Sequence, residues 1–243
     1  MSKARLCAAA LLCVLLGVLA GPVSAMDTPD FESNIVTGHI ESVDSVANGS
    51  NRDVRHIIDH GHGVALEIEF LTTAPEDDLA PRIAIKQNGA VWITWWRDAV
   101  TDQVLYRARS QVDGTWGAET KISSDGENSR YPDIAVDDST TWIAYQFDST
   151  VGSSVAIVSI TDGPEPFPTV RTVLSSTAPA GDLDVLANCE SGKVWVTWVD
   201  IARVGWSKYD ANTKTWSLPA YELDATSDWN AARGRLRSTV LGK

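Results

Sequence analysis

"VWITWWRD", Val91 to Asp98, holds three tryptophans in five positions: Trp92, Trp95 and Trp96. Two related stretches follow, "TWIAYQFD" from Thr141 and "VWVTWVD" from Val194. Trp92, Trp142 and Trp195 correspond, as do Trp95, Tyr145 and Trp198, and each stretch ends on an acid, Asp98, Asp148 or Asp200. Upstream lie "PRIAI" at Pro81, "PDIAV" at Pro132, "LDVLA" at Leu183 and "GRLRS" at Gly234, each 51 residues from the last. "QNG", "DDST" and "CESGK" separate the paired runs and read as hairpin turns of different length. A third β-rich run follows in each unit: "VLYRARS" (104–110), "VAIVSI" (155–160) and "VGWSKY" (204–209). A fourth ends at Ile122, Val173 and Leu223. One period before Ile122 lies Leu71, the end of "VALEIEFL", which alternates as a half-exposed edge strand does.

Four short strands in a unit of about 50 residues predict β-propeller blades. The expected fold is all-β, with four antiparallel strands per ~51-residue repeat. Three full blades are expected, 79–128, 129–180 and 181–230, with partial blades at both ends. The repeats occupy 64–243, and 231–243 begins a further unit. An N-terminal extension with a strand and a His-rich loop is expected over 26–63. Either the C-terminal strand joins the N-terminal ones in a composite blade, or the chain stops within a longer propeller, or two such chains complete one ring.

A blade cannot bury both faces alone, and wide aromatic residues fill the wedges between blades. Residues three apart on a strand face opposite sides. Trp92, Trp142 and Trp195 therefore read as structural wedges toward one neighbour, and Trp95, Tyr145 and Trp198 toward the other. Trp96 has no aromatic counterpart, since Gln146 and Val199 stand there, and is expected to make a surface contact.

Residues 1–25 carry Lys3 and Arg5, an apolar run and Val23-Ser24-Ala25, the layout of a Sec-type signal cleaved after Ala25. The apolar run, Leu6 to Ala20, is shorter than the roughly 20 residues that span a bilayer. A secreted or periplasmic location is expected, with no membrane attachment after cleavage. Cleavage removes Cys7 and Cys13, leaving Cys189 and no internal disulfide. It also removes two basic and no acidic residues, so the net charge of −12 becomes −14. Such a surface repels phosphate backbones and argues against nucleic acid.

The run "PRIAIKQNGAVWITWWRD…VLYRARSQVDGTWGAETKIS" resembles the blade pattern of sialidase-like propellers with BNR or Asp-box repeats. The best matches to the Asp-box are "SQVDGTW", with Asp113 and Trp116, and "YDANTKTW", with Asp210 and Trp216; both depart from the usual length, and the middle unit has only "TDGPEPF". The resemblance implies structural roles for Asp113 and Trp116: an aspartate capping backbone amides and a tryptophan packed into the blade. Sialidase chemistry would add an arginine triad, a Tyr–Glu pair and an acid. Only Arg82 in "PRIA" echoes that set, so no catalytic residue is assigned.

Arg82, Asp133, Asp184 and Arg235 recur at the period itself, one residue after the start of each inner strand. Such positions approach the axis at one mouth of the central channel. They either bind a polar ligand or neutralise one another between blades. In "RHIIDHGHG", His56, Asp59, His60 and His62 offer donors for zinc if Val54–His60 makes a helical turn, whereas Gly61 and Gly63 favour a solvated loop. "NGS" at Asn48–Ser50 reads as a turn, and the acidic connections "TAPEDDLAP" and "ISSDGENSRYPD" offer calcium ligands without requiring the ion. The function expected is a recognition or scaffold module binding a glycan or protein partner, with no required cofactor. The alternatives are a glycoside hydrolase of the sialidase superfamily and a non-functional fragment of a longer propeller.

Overall fold

The computed structural model describes residues 29–34, 36–149, 152–163, 169–175, 183–188, 193–200 and 203–223. The signal-like segment 1–25, Cys189, Arg235 and the partial unit 231–243 lie outside them. The described residues form four antiparallel sheets and no helix. β1 (Asp30–Ser33), β2 (Ile40–Asn48), β3 (Asn51–Asp59) and β4 (Glu67–Phe70) make the first, in chain order. β5 (Asp77–Ile85), β6 (Val91–Asp98), β7 (Gln103–Arg109) and β8 (Thr120–Lys121) make the second. β9 (Asn128–Val136), β10 (Thr140–Ser149), β11 (Gly152–Thr161) and β12 (Thr169–Ser175) make the third. β13 (Leu183–Asn188), β14 (Lys193–Asp200) and β15 (Arg203–Asp210) lead the fourth, where β16 (Thr215–Trp216) and β17 (Ala220–Leu223) both pair with β15.

The inner strands touch in succession: β1 with β5, β5 with β9, β9 with β13. Three apolar clusters fill the spaces between sheets, and five of the six period-51 aromatics lie in them as the alternation of a strand requires; Trp195, expected as a wedge, is instead half-buried outside them and meets Trp206 at 5.2 Å within its own sheet. Trp95 packs with Val43 and Val54 between the first and second sheets. Trp92 and Tyr145 meet between the second and third. Trp142 and Trp198 meet between the third and fourth. Trp95, Tyr145 and Trp198 are fully buried, and side chains this large dominate the energetics of such interfaces.

The N-terminal region corrects the expectation of a partial blade. β1 to β4 form a complete four-stranded sheet. "RHIID" belongs to β3, neither a helical turn nor a loop, and "NGS" is the tight turn that joins β2 to β3. The reason is physical. The inward positions of β2 and β3 include Glu41, Ser45 and His56, all at most 5% exposed, so polar residues interrupt the apolar alternation of these strands. Their polar groups are satisfied instead: Ser45 Oγ donates to Asp78 O at 2.6 Å, across to the second sheet. The opposite face of the first sheet exposes Phe31, Ile40, Ile68 and Phe70, and among the described residues no apolar cluster joins the fourth sheet to the first.

Candidate functional site

Two inner strands share an unusual backbone. Ala80 and Tyr131, one period apart and each preceding a proline, have φ of 47° and 54°. A bulge accompanies both: Leu79 pairs with Trp96 but Arg82 with Thr94, and Arg130 pairs with Gln146 but Asp133 with Ala144. Each strand therefore carries one extra residue, and Pro81 and Pro132, which cannot donate to a ladder, sit inside the irregularity. A non-glycine residue in the left-handed region costs roughly 1–3 kcal/mol, and such outliers concentrate at functional sites.

The bulges bring Arg82 and Asp133 together on adjacent strands, with Nε 3.8 Å from Oδ1. Arg82 keeps a third of its side chain exposed. Its Nη1 also donates to Pro81 O at 3.1 Å. Asp30 on β1 accepts from Ile83 N at 2.9 Å, so a carboxylate from a third inner strand joins the row. Asp30 was legible only as a residue 52 before Arg82, because no proline or aromatic run marks β1. Asp184 lies in β13 opposite Thr197, continuing the sequence of inner strands. Arg235 lies outside the described residues.

Trp96 is corrected from a surface contact to a buried residue, 5% exposed, between the second and third sheets. The bulge in β9 explains it, since that irregularity places Arg130 and Tyr131 against the indole. The Arg130 guanidinium lies 5.8 Å from the ring centroid and the Tyr131 ring meets it edge-on at 5.9 Å. Arg130 also pairs with Asp102, which is 3% exposed. At the start of β5, Asp78 is fully buried and accepts from Trp95 Nε1 at 3.0 Å and from Arg97 Nε at 2.8 Å. Burial pushes its carboxyl up, against the lowering pull of Arg97. Arg97 reaches on to Glu119 at 2.7 Å.

The zinc reading is also corrected. His56 is 1% exposed, with Nε2 2.9 Å from Glu41 Oε2. His60 Nδ1 is 3.2 Å from His39 Nε2 and its Nε2 is 3.4 Å from Glu67. His62 is exposed and Asp59 caps Gly61 N. The extended β3 sends these side chains to separate partners, and among the described residues no three His, Cys, Asp or Glu are placed to hold a metal.

The Glu41–His56 pair makes a pH prediction. Burial raises the Glu41 carboxyl, but hydrogen bonds from His56 and Asn34 outweigh it and hold the group below its usual range. Its stabilisation is thus present above that range and lost as pH falls through the depressed folded value. Glu41→Gln should lower stability at pH 7 by about 2 kcal/mol and flatten the acid limb of a Tm-against-pH curve. An unchanged acid limb would show that other carboxylates set it.

The two turns quoted for the Asp-box have the chemistry of structural turns. Asp113 Oδ1 accepts from Thr115 N at 3.1 Å, and hydrogen bonds from Ser110 and Thr115 hold its carboxyl low. Trp116 donates to Glu69 at 2.8 Å and meets His56 edge-on at 5.4 Å. Asp210 Oδ1 likewise accepts from Asn212 N at 2.8 Å, and Trp216 packs on Trp142 at 5.9 Å.

Four meandering sheets stacked through their aromatic faces, with inner strands in succession, define the class: the chain is a β-propeller. No protein-family model matches it, and no curated protein matches it as a relative. Among solved structures it is similar to an ulvan lyase of polysaccharide lyase family PL25, with a TM-score of 0.54 at 9% identity, over 82% of this chain and 58% of that one. It is also similar to an α-L-arabinofuranosidase from Clostridium thermocellum, with a TM-score of 0.50 at 9% identity, over 83% of this chain and 74% of that one. A third similarity is to a protein of unknown function from Dyadobacter fermentans, with a TM-score of 0.51 at 12% identity, over 80% of this chain and 52% of that one. The chain thus spans about half to three quarters of these proteins.

Proposed function

We propose that this chain is an exported glycan-binding β-propeller, whose Arg82–Asp133 pair, with Asp30, forms the recognition row on the inner strands. The observation that carries the reading is the left-handed bulge repeated at Ala80 and Tyr131. Strain at two equivalent positions is retained where the charged residues beside it have a task. The carbohydrate chemistry of the ulvan lyase and the arabinofuranosidase supports a glycan over a protein partner. An arginine with a third of its side chain exposed, beside a carboxylate, offers both donors and acceptors to sugar hydroxyls. Kinship with sialidase-like repeats is supported by the capped turns at Asp113 and Asp210.

Titration calorimetry of the purified chain with arabinan, ulvan and neutral galactan oligosaccharides tests the reading. Binding by at least one, weakened about tenfold or more by Arg82→Ala, is expected; no binding to any of the three, or equal binding by the variant, would remove it. The second reading is glycoside cleavage, favoured by carboxylates on the two inner strands that flank β5, Asp30 on β1 and Asp133 on β9. Such hydrolysis requires two placed carboxyl groups. Release of reducing ends from the same oligosaccharides, abolished in Asp133→Asn, would select it.

A further inference from the structure

We propose a second, anion-accepting glycan subsite in the cleft between the turns of the second and third sheets, one that takes a carboxylate- or sulfate-bearing sugar. The cleft measures about 480 Å³, within the range of small-ligand sites, and Lys86, Trp92, Arg109, Ser110, Gln111 and Asp162 help to line it. The turns that join β5 to β6 and β7 to β8 meet there with Asp162 and Gly163, which follow β11. Lys86 directly follows β5, on the far side of Arg82 from the Ala80 bulge, so the cleft is a different place from the recognition row.

The charge pattern points to the ligand. In a chain of net charge −12, this cleft holds two cations, Lys86 and Arg109, against one carboxylate, Asp162. Lys86 is unusual: only 1% of its side chain is exposed, yet it lines the cleft, with Nζ 5.2 Å from the Trp92 ring centroid. A buried ammonium is costly unless paired and hydrogen-bonded. Among the described residues its one charged partner is Asp162, whose side chain is 41% exposed. An ammonium has three donors, so capacity remains for a second anion. Arg109 Nε is committed to Gly114 O at 3.0 Å, which orients the guanidinium on the same turn as the exposed Ser110 and Gln111. Those two supply the neutral donors and acceptors a sugar ring needs. Asp162 occupies part of the positive site, so an acidic sugar competes with it for Lys86.

The inference rests on the glycan-binding reading for its choice of sugar over other anions. Its test is calorimetry at low salt with tetragalacturonate, a sulfated galactan tetrasaccharide and neutral galactotetraose. At least one acidic probe should bind, and a tenfold rise in salt should weaken it. Arg109→Ala should lower that affinity about tenfold, and Asp162→Ala should raise it severalfold by freeing Lys86, a direction that mere damage to the fold does not produce. Tetragalacturonate alone binding assigns a carboxylate, and the sulfated probe alone assigns a sulfate. Neutral galactotetraose losing as much affinity as the acidic probes in Arg109→Ala, neither acidic probe binding, or an unchanged affinity in both Arg109→Ala and Asp162→Ala overturns the subsite. Should it be overturned while a neutral glycan still binds through Arg82, the reading of the inner-strand row stands.

Discussion

Asp78→Ala is expected to lower stability by about 3–5 kcal/mol, among the largest losses a single residue here can cause. Asp78 is fully buried and gathers three elements: Trp95 Nε1 and Arg97 donate to its carboxylate, and Ser45 Oγ donates to its backbone carbonyl. Removing the carboxylate strands a buried indole N–H and leaves Arg97 with Glu119 alone, on a side chain only 13% exposed. The two buried acids of this region respond oppositely to pH. Asp78 is raised by burial, so the pH-linked part of its contribution, separate from the hydrogen bonds that its removal would strand, is fully present below the unfolded carboxylate range and is lost as pH rises through its folded value, whereas that of Glu41 is lost as pH falls. Urea denaturation at pH 7 measures the loss; a change under 1 kcal/mol would mean that Glu119 is sufficient to hold Arg97.

Gly205→Ala is expected to cost about 3 kcal/mol. Gly205 stands directly opposite Trp198 across β14 and β15. A Cβ there would lie 2.3 Å from Trp198 Nε1 and 2.4 Å from Cε2, far inside van der Waals contact. The indole cannot yield easily, since it is fully buried between the third and fourth sheets and meets Tyr221 edge-on at 6.1 Å. The cause is separable from glycine's backbone freedom by a double-mutant cycle. In a Trp198→Leu background, Gly205→Ala should cost markedly less, because the flexible side chain makes room. An equal cost in both backgrounds would place the effect in the backbone.

These residues show what the sequence made legible. The period of 51 and the three tryptophan strands identify the second, third and fourth sheets because each inter-sheet cluster needs wide side chains on both faces of the second strand, and that need recurs. The same comparison leaves Trp96 without a role, because its partners, Arg130 and Tyr131, come from a bulge in the next sheet and not from its own repeat. The first sheet was half hidden for a related reason. Its buried positions hold Glu41, His56 and Asp53, whose partners are other polar groups, so hydropathy alternates weakly where the strand is most regular. Gly205 in "VGWSKY" did carry a signal, since glycine inside a strand marks close approach of another group. The row at Arg82 and Asp133 follows from the repeat, whereas Asp30 depends on a short strand that no motif announces.

The role proposed for Arg82 and Asp133 is recognition and not only an ion pair between strands. Exchanging them, Arg82→Asp with Asp133→Arg, keeps opposite charges on the same two strands while reversing what each position offers a ligand. The most direct measurement is the affinity of the exchanged protein for the oligosaccharide that the parent binds, taken beside its Tm. The account predicts a Tm close to the parent's, higher than that of either single exchange, with affinity reduced tenfold or more. Affinity recovering together with Tm would contradict it and reduce the pair to a structural contact.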